Sequence, residues 1–341
     1  MKAAVWNDKG SLDIVERPTA DPKPGQVRIR VASVGICGTD LHFYRGSFPS
    51  PKGLLPGHEI GGVVDTVGNG VELDVGTPVA VEPQTICGDC YQCRTGNYNR
   101  CAKRVLLGVT GRGGCAEMAT VPAYTLYPLP RDVDASAGAL VEPLAVCVHG
   151  TRLGCIQPGE RVAILGAGTI GLMSILTSRT AGATEIFVTA RHPHQQRAAQ
   201  TMGADAVFAD VDALLKGIGN APVDCVIETV GGHSLTLIEA ARVVRPGGIV
   251  LMLGVFDGET RIPGLDYSTK EITLVGSNCY SRSGSRTDFA IAVDLLGRAV
   301  DRITSLVTHR FPLVAVNEAF RTAVDKNTGS IKVHILPEQT D

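Results

Sequence analysis

Cys87, Cys90, Cys93 and Cys101 follow one another as C-x2-C-x2-C-x7-C. Four thiolates at that spacing fit a tetrahedral zinc site, and a site closed by four protein ligands is structural, stapling a loop. An iron–sulfur cluster uses related spacing, but Gly88-Asp89 and Arg94-Thr95-Gly96-Asn97 between the cysteines read as an ordinary polar lobe. The bland alternative is a coincidence of buried cysteines. A second set is Cys37-Gly38-Thr39-Asp40-Leu41-His42 with Gly57-His58-Glu59. A Cys, a His and an acidic residue are mixed ligands of the kind used where zinc keeps an open position, and an open zinc polarises a bound oxygen and lowers its pKa. Spacing alone does not join Cys37 to His58, and a single His after Gly is more often a loop residue. The other cysteines, Cys115, Cys147, Cys155, Cys225 and Cys279, lack ligand spacing and read as small core residues.

Gly166-Ala167-Gly168-Thr169-Ile170-Gly171 is G-x-G-x-x-G, placed between an apolar strand and a helical stretch. The first Gly permits a tight turn, the second a close approach of backbone to a pyrophosphate, and the third close helix–strand packing. The pyrophosphate then sits at the positive helix N-terminus. The alternative is a generic Gly-rich turn. An acidic residue about 20 positions on would hold the ribose 2′-hydroxyl of NAD. Here Ala190 stands 24 positions after Gly166, and Arg191 follows it. Loss of the carboxylate removes repulsion against a 2′-phosphate, and Arg191 offers a planar donor fork to it. His192, His194 and Arg197 add nearby donors. NADP(H) is therefore expected over NAD(H); a solvated loop arginine is the competing reading.

The elements that must position these groups change character along the chain. Up to about residue 150 the runs are short and rich in Gly, Pro and Val. Val27–Val31 alternates with period two, and Gly61–Gly68 and Thr77–Val81 are further strand candidates. From Arg161 the pattern becomes alternating strands and helices: strands at Arg161–Gly166, Glu185–Ala190, Ala206–Phe208, Asp224–Glu228, Gly248–Leu253 and Ile272–Gly276, with helices over Thr169–Ala181, Gln195–Met202 and Ser234–Val244. Strands alternating with helices imply βαβ units and a doubly wound parallel sheet, and six strands is the number a dinucleotide-binding sheet uses. A helix (Asp288–Arg298), a strand (Leu306–Phe311), a helix (Leu313–Val324) and a strand (Ile331–Leu336) follow, and these could return to the first domain.

Composition narrows the function classes. Lys and Arg total 32 against 34 Asp and Glu, a net charge of −2, which argues against a nucleic-acid surface as the main business of the chain. No apolar run reaches the ~18–20 residues of a membrane helix, and the N-terminus lacks the apolar core of a signal peptide. Ten cysteines without an export signal point to metal or thiol chemistry in a cytoplasmic protein rather than to disulfides.

Taken together, Cys37-Gly38-Thr39-Asp40, Gly57-His58-Glu59 with Gly61 and Val64, the four-cysteine lobe, Gly166–Gly171, and Val307–Leu313 leading to Glu318-Ala319-Phe320 resemble the zinc-dependent alcohol dehydrogenases of the medium-chain dehydrogenase/reductase superfamily. The resemblance covers essentially the whole length. Gly138-Ala139-Leu140-Val141-Glu142-Pro143-Leu144 looks like the sorbitol/polyol branch, with Glu-Pro where alcohol dehydrogenases carry a third ligand, a Cys.

The resemblance implies an α/β fold. A GroES-like β-rich catalytic domain spans 1–152 and is completed by 287–341; a Rossmann domain spans 153–286. It implies two zinc ions per chain: a catalytic one on Cys37, His58 and Glu59, with Glu142 as ligand or as holder of a water, and a structural one on Cys87, Cys90, Cys93 and Cys101. Thr39 would sit beside the substrate oxygen and His42 at the end of a proton relay. Besides the Gly motif, Ala190, Arg191 and Arg197, the expected cofactor contacts are Thr229, Val230, Leu253, Gly254 and Ser277. The implied reaction is hydride transfer between a secondary alcohol and NADP(+), in a homodimer or homotetramer, with no nucleic acid or membrane as partner.

Two departures bear on substrate. Polyol dehydrogenases often carry an Arg-Tyr pair where this chain has Cys279-Tyr280, and Phe43 stands where Tyr or Trp often follows the relay histidine. Both reduce polar contacts. Gly276-Ser277-Asn278-Cys279-Tyr280 is similar to some 2,3-butanediol dehydrogenases, so sugar alcohols, cyclitols and vicinal diols or their ketones are all implied. The competing readings are an NAD-dependent butanediol- or threonine-type dehydrogenase, a nucleic-acid-binding protein built on the zinc lobe, and a dinucleotide sensor without catalysis.

Overall fold

The computed structural model describes residues 1–7, 10–49 and 51–337. The chain forms two compact units, Met1–Glu142 with Ser281–Asp341, and Pro143–Tyr280. The division near 152 expected from the sequence lies at the end of the helix Val141–Leu153, whose residues from Pro143 onward belong to the second unit.

The first unit is built on a seven-stranded sheet. Its order is Val307–Pro312, Lys332–Leu336, Gln26–Gly35, Glu59–Val67, Pro78–Val81, Leu126–Pro128, with Met118–Pro122 also paired to Gln26–Gly35. Alternation in Gln26–Gly35 turns Val27, Ile29 and Val31 fully inward, as a strand with one buried face requires. Trp6, Ile60 and Phe320 pack with them, each buried to within 1%. Full burial of a large apolar side chain contributes about 1.5–3 kcal/mol. The C-terminal strand Lys332–Leu336 pairs antiparallel with Gln26–Gly35, placing His334 opposite Gly35. The strand Lys332–Leu336 thus joins the sheet begun by Gln26–Gly35.

The second unit is a six-stranded parallel sheet in the order Ala206–Phe208, Glu185–Thr189, Arg161–Leu165, Val223–Glu228, Val244–Met252, Thr273–Gly276. This is the doubly wound order of a dinucleotide-binding fold, reversing beside Arg161–Leu165. The helix Thr169–Ala181 has the expected bounds, set by Gly168 at its N-cap and a left-handed Gly182 at its C-cap. The sequence stretch Ser234–Val244 narrows to a helix over Thr236–Val243. Leu313–Val324 divides into a 3-10 turn, Leu313–Ala315, and a helix, Val316–Val324. The helix Val211–Ile218, unforeseen from sequence, is capped by Asp210, whose side chain accepts from the Ala213 amide.

Candidate active site and metal centres

Two adjacent strands of the first unit deliver one cluster. Gln26–Gly35 runs into Cys37, and Glu59 opens the neighbouring strand, paired with Gly35. The ligand atoms of Cys37, His58 and Glu59 lie within 4.8 Å of one another. Spacing had not joined Cys37 to His58; strand pairing does. Gly35 is needed here, because a Cβ would come within 1.9 Å of Glu59 Oε2.

Cys37 is also the N-cap of the helix Gly38–Arg45. Asp40 reaches back to accept from the Cys37 amide at 2.9 Å, and its other oxygen faces His58 Nδ1 at 3.9 Å. Both of these facing atoms are buried without a hydrogen bond. A carboxylate behind one imidazole nitrogen orients the ring and leaves the other nitrogen for a metal. Burial raises the Asp40 pKa, opposed by His58. Burial also works against charge on His58, but Cys37 and Asp40 outweigh it and hold its pKa well above the ordinary value. The same helix presents Thr39 and His42, both half-buried, three residues apart and so on one face. The His42 ring stacks on Phe48 at 4.9 Å.

Glu59 has a partner that sequence reasoning missed. Lys332 Nζ, itself buried, donates to Glu59 Oε1 at 2.7 Å and Oε2 at 2.6 Å, and to the Ile36 carbonyl at 3.0 Å. Burial disfavours the ammonium, but Glu59 and Cys37 overcome that and raise its pKa. The available signal was one charged residue opening the apolar strand Lys-Val-His-Ile-Leu.

Glu142 stands outside the group of three. It begins the helix Val141–Leu153, is buried, and its charge raises the pKa of both His58 and Lys332. The 3-10 segment Ala135–Leu140 lies directly on Glu59–Val67: a Cβ on Gly61 would meet the Ala135 carbonyl at 2.3 Å. That close approach brings Glu142 to the cluster.

The four-cysteine lobe is clasped by the short pair Gln84–Thr85 and Val105–Leu106. The Cys87, Cys90, Cys93 and Cys101 sulfurs lie within 4.8 Å of one another. Cys90 and Cys93 approach to 3.5 Å, as do Cys101 and Cys87. Four converging sulfurs with this geometry fit a tetrahedral ion. Hydrogen bonding from the backbone of Cys87 and Lys103 lowers the Cys101 thiol, whereas burial and the neighbouring thiols push Cys93 up, so it is the closeness of the four sulfurs that marks the site.

In the second unit the Gly motif forms a tight βα turn. Gly166 has φ +103°, and its amide donates to Thr189 Oγ1 at 3.1 Å. A Cβ on Gly171 would meet the Gly166 carbonyl at 2.0 Å, whereas one on Gly168 would meet nothing. Gly168 thus fronts open space at the start of the helix carrying Thr169 and Ile170, a cradle for a pyrophosphate. Thr229 closes the turn from the next strand, donating to the Leu165 carbonyl at 2.9 Å. Val230 is exposed beyond it. Leu253 and Gly254 donate their amides to the Glu228 carbonyl. The Ser277 hydroxyl is buried without a hydrogen bond. All of these lie at the carboxyl ends of the parallel strands.

Glu228, not foreseen, is a hub: fully buried, its Oε1 accepts from the amides of Val230 and Gly231 and from the Thr236 hydroxyl. Ala190 is buried, with its carbonyl taken by Gln196 Nε2 at 2.9 Å. Arg191 and Arg197 are exposed, and neither guanidinium has an ion-pair partner among the described residues.

Residues 23–131 match the alcohol dehydrogenase GroES-like domain, and residues 169–298 match the zinc-binding dehydrogenase family. The chain is 34% identical over 361 residues to the L-arabinitol 4-dehydrogenase of Talaromyces emersonii, covering 99% of this chain and 91% of that one. It is 33% identical to the L-galactonate-5-dehydrogenase of Escherichia coli strain K12, covering 97% and 95%. The chain is a zinc-dependent medium-chain dehydrogenase/reductase. It resembles the polyol dehydrogenases of that superfamily and is an oxidoreductase acting on CH–OH groups. A solved zinc-binding dehydrogenase of Sinorhizobium meliloti 1021, bound to NADP, superposes with a TM-score of 0.88 at 31% identity, covering 98% of this chain and 99% of that one. No helix of this dehydrogenase among the described residues is long and apolar enough to cross a membrane.

Proposed function

We propose that this dehydrogenase oxidises a secondary alcohol of a polyol, cyclitol or vicinal diol to the ketone, delivering hydride to NADP(+) and a proton to solvent, and runs the reverse reaction on the ketone. The observation that carries the reading is the buried Cys37–His58–Glu59 group with Asp40 and Lys332 behind it. Zinc, when bound, supplies Lewis acidity towards the substrate oxygen, and the nicotinamide ring takes the hydride. Cys37 and His58 hold the metal. Glu59, neutralised by Lys332, is the third ligand, and Glu142 is the carboxylate that ligates in its place or holds a water. Thr39 receives the hydroxyl proton and passes it towards His42 at the surface. Cys87, Cys90, Cys93 and Cys101 hold a second, structural zinc, making two per chain.

The cofactor reading rests on buried Ala190 and the open guanidiniums of Arg191 and Arg197. A charge-assisted hydrogen bond to phosphate contributes about 1.5–3 kcal/mol, roughly ten- to hundredfold discrimination. The same reading includes a homodimer or homotetramer, supported by the open edge of Thr273–Gly276 and by exposed Leu265, Ile262 and Leu274 in the same unit. It also includes a cytoplasmic location, since none of the ten cysteines forms a disulfide. A panel of sugar alcohols, cyclitols, vicinal diols and their ketones, followed by nicotinamide absorbance with each cofactor, tests the function. No turnover on any of them by the zinc-loaded protein would overturn it. A higher kcat/KM with NAD(+), or unchanged use of NADP(+) by Arg191→Ala, would overturn the cofactor choice.

A further inference from the structure

The first unit holds a cavity of about 470 Å³, within the size range of small-molecule sites. It opens between two apolar clusters. Leu55 and Val15 belong to a small cluster beside the hairpin of Lys2–Trp6 and Leu12–Glu16, whereas Ile60, Leu107 and Val121 pack in or on the main core. Protein interiors are otherwise close-packed, with few voids larger than a water molecule, so a gap of this size is room for a ligand. The cavity is separate from the Cys37–His58–Glu59 group. Ile60 follows Glu59 in one strand, so the two side chains point to opposite faces of the sheet, and none of Cys37, His58, Glu59 and Glu142 lines the cavity.

The wall over residues 107–113 is fixed by its backbone. The Leu107 amide donates to the Pro83 carbonyl at 2.9 Å and the Gly113 amide to the Leu55 carbonyl at 2.9 Å. Arg112 in this wall is exposed and has no ion-pair partner among the described residues. Across the cavity, half-buried Arg17 donates from its guanidinium to a neutral group, the Gly53 carbonyl, at 3.2 Å. Glu16 also lines the rim, and its carboxylate faces the Met1 amino group at 3.6 Å. Two guanidiniums without a carboxylate thus stand over an apolar floor.

We propose that this cavity is a second, non-catalytic binding site whose ligand is a small amphipathic carboxylate. The carboxylate lies on Arg112 and Arg17, whose planar forks match its geometry, and an apolar body of roughly six to ten carbons fills the floor. Each methylene buried there strengthens binding about fourfold. A charge-assisted contact adds about tenfold or more over a neutral head group of the same shape.

The test uses the zinc-loaded enzyme, with octanoate as the probe and octanamide as its neutral counterpart, both titrated by calorimetry. We expect one octanoate per chain, bound about tenfold or more tightly than octanamide, with hexanoate weaker than octanoate by about tenfold. Arg112→Ala should weaken octanoate about tenfold and leave octanamide unchanged, and Arg112→Lys should fall between. Ala119→Phe, which adds a ring to the cavity wall, should abolish binding of both while circular dichroism and turnover show the fold intact. Cys37→Ala should bind octanoate as the parent does. No saturable binding, equal affinity for octanoate and octanamide, or octanoate affinity unchanged in both Arg112→Ala and Ala119→Phe overturns the inference. Loss of octanoate binding in Cys37→Ala with retention in Arg112→Ala places the acid on the catalytic metal and overturns it too. None of these outcomes depends on the alcohol oxidised, so the dehydrogenase reading stands or falls separately.

Discussion

Lys332→Met removes one charge and keeps a side chain of similar length in the first unit. In the native protein Lys332 Nζ makes bonds of 2.7 and 2.6 Å to the two Glu59 oxygens and one of 3.0 Å to the Ile36 carbonyl. Both partners are nearly inaccessible, with side chains 3% and 1% exposed. Removing one member of a buried ion pair costs about 3–5 kcal/mol, because the other charge is left uncompensated. Against a total stability of about 5–15 kcal/mol, that is a large fraction. The zinc ligands add a second lever. With zinc bound, the Glu59 carboxylate faces a dication and keeps a counter-charge; without zinc it has none. The penalty should therefore approach the full 3–5 kcal/mol in metal-free protein and be clearly smaller in zinc-loaded protein. Adding Glu59→Gln to Lys332→Met should restore much of the metal-free loss. Urea unfolding followed by circular dichroism measures the parent, the single variant and the double variant, each with and without zinc. A metal-free Lys332→Met protein as stable as the parent would refute the reasoning, as would an equal loss in the two metal states.

Elemental analysis should find two zinc ions per chain. Cys37→Ala should lose one and all turnover but keep the fold, while Cys90→Ala should chiefly loosen the lobe, since a structural zinc contributes to folding directly. Glu142→Ala should cut kcat strongly and retain part of the catalytic metal; unchanged kinetics would make it a bystander. Thr39→Ala should cost more than His42→Ala, because in the proposed relay Thr39 meets the reacting oxygen and water can stand in for His42; a positioned acid–base group contributes about 10²–10⁴-fold. Glu82, bonded to the Tyr127 hydroxyl at 2.9 Å, is pushed by burial from 4.5 up to about 7. The folded chain therefore holds a proton that the unfolded chain has lost, so stability should fall by about 3 kcal/mol as pH rises from 4.5 through 7. Glu82→Gln should flatten that fall in denaturant midpoints read across the same range.

What the sequence could and could not show follows from how far apart the partners lie. The helices Thr169–Ala181 and Asp288–Arg298 have the expected bounds because their stop and start signals are local: glycines at both caps of the first, and Thr287 accepting from the Ala290 amide in the second. The four-cysteine lobe is equally local, within 15 residues, so spacing alone reads it. The helix Val211–Ile218 keeps a helical period at Val211, Leu214, Leu215 and Ile218, but with eight residues, one of them Gly217, it falls below the length at which periodicity stands out. Asp40 stands in a motif without a task, because its partner His58 comes from the loop just before the strand Glu59–Val67, eighteen positions on. Glu228 looked like the end of an apolar strand, and its work as a hub depends on a turn that only the folded chain closes.

The Glu59–Lys332 pair makes the same point about the architecture itself. Its members are 273 residues apart, with the whole parallel-sheet unit between them. The strand that carries Lys332 binds the strand that ends in Gly35, and Gly35 has no side chain to obstruct Glu59. A chain cut before residue 332 would keep Cys37, His58 and Glu59, yet it would bury a carboxylate without a counter-charge. Such burial is unfavourable unless the carboxylate takes up a proton or a metal comes to it. The last strand therefore belongs to the proposed metal site, although it donates no ligand. Pairing Lys332–Leu336 with Gln26–Gly35 ties completion of the site to completion of the fold, so the proposed ligand set reaches its working electrostatics only when those two strands have met.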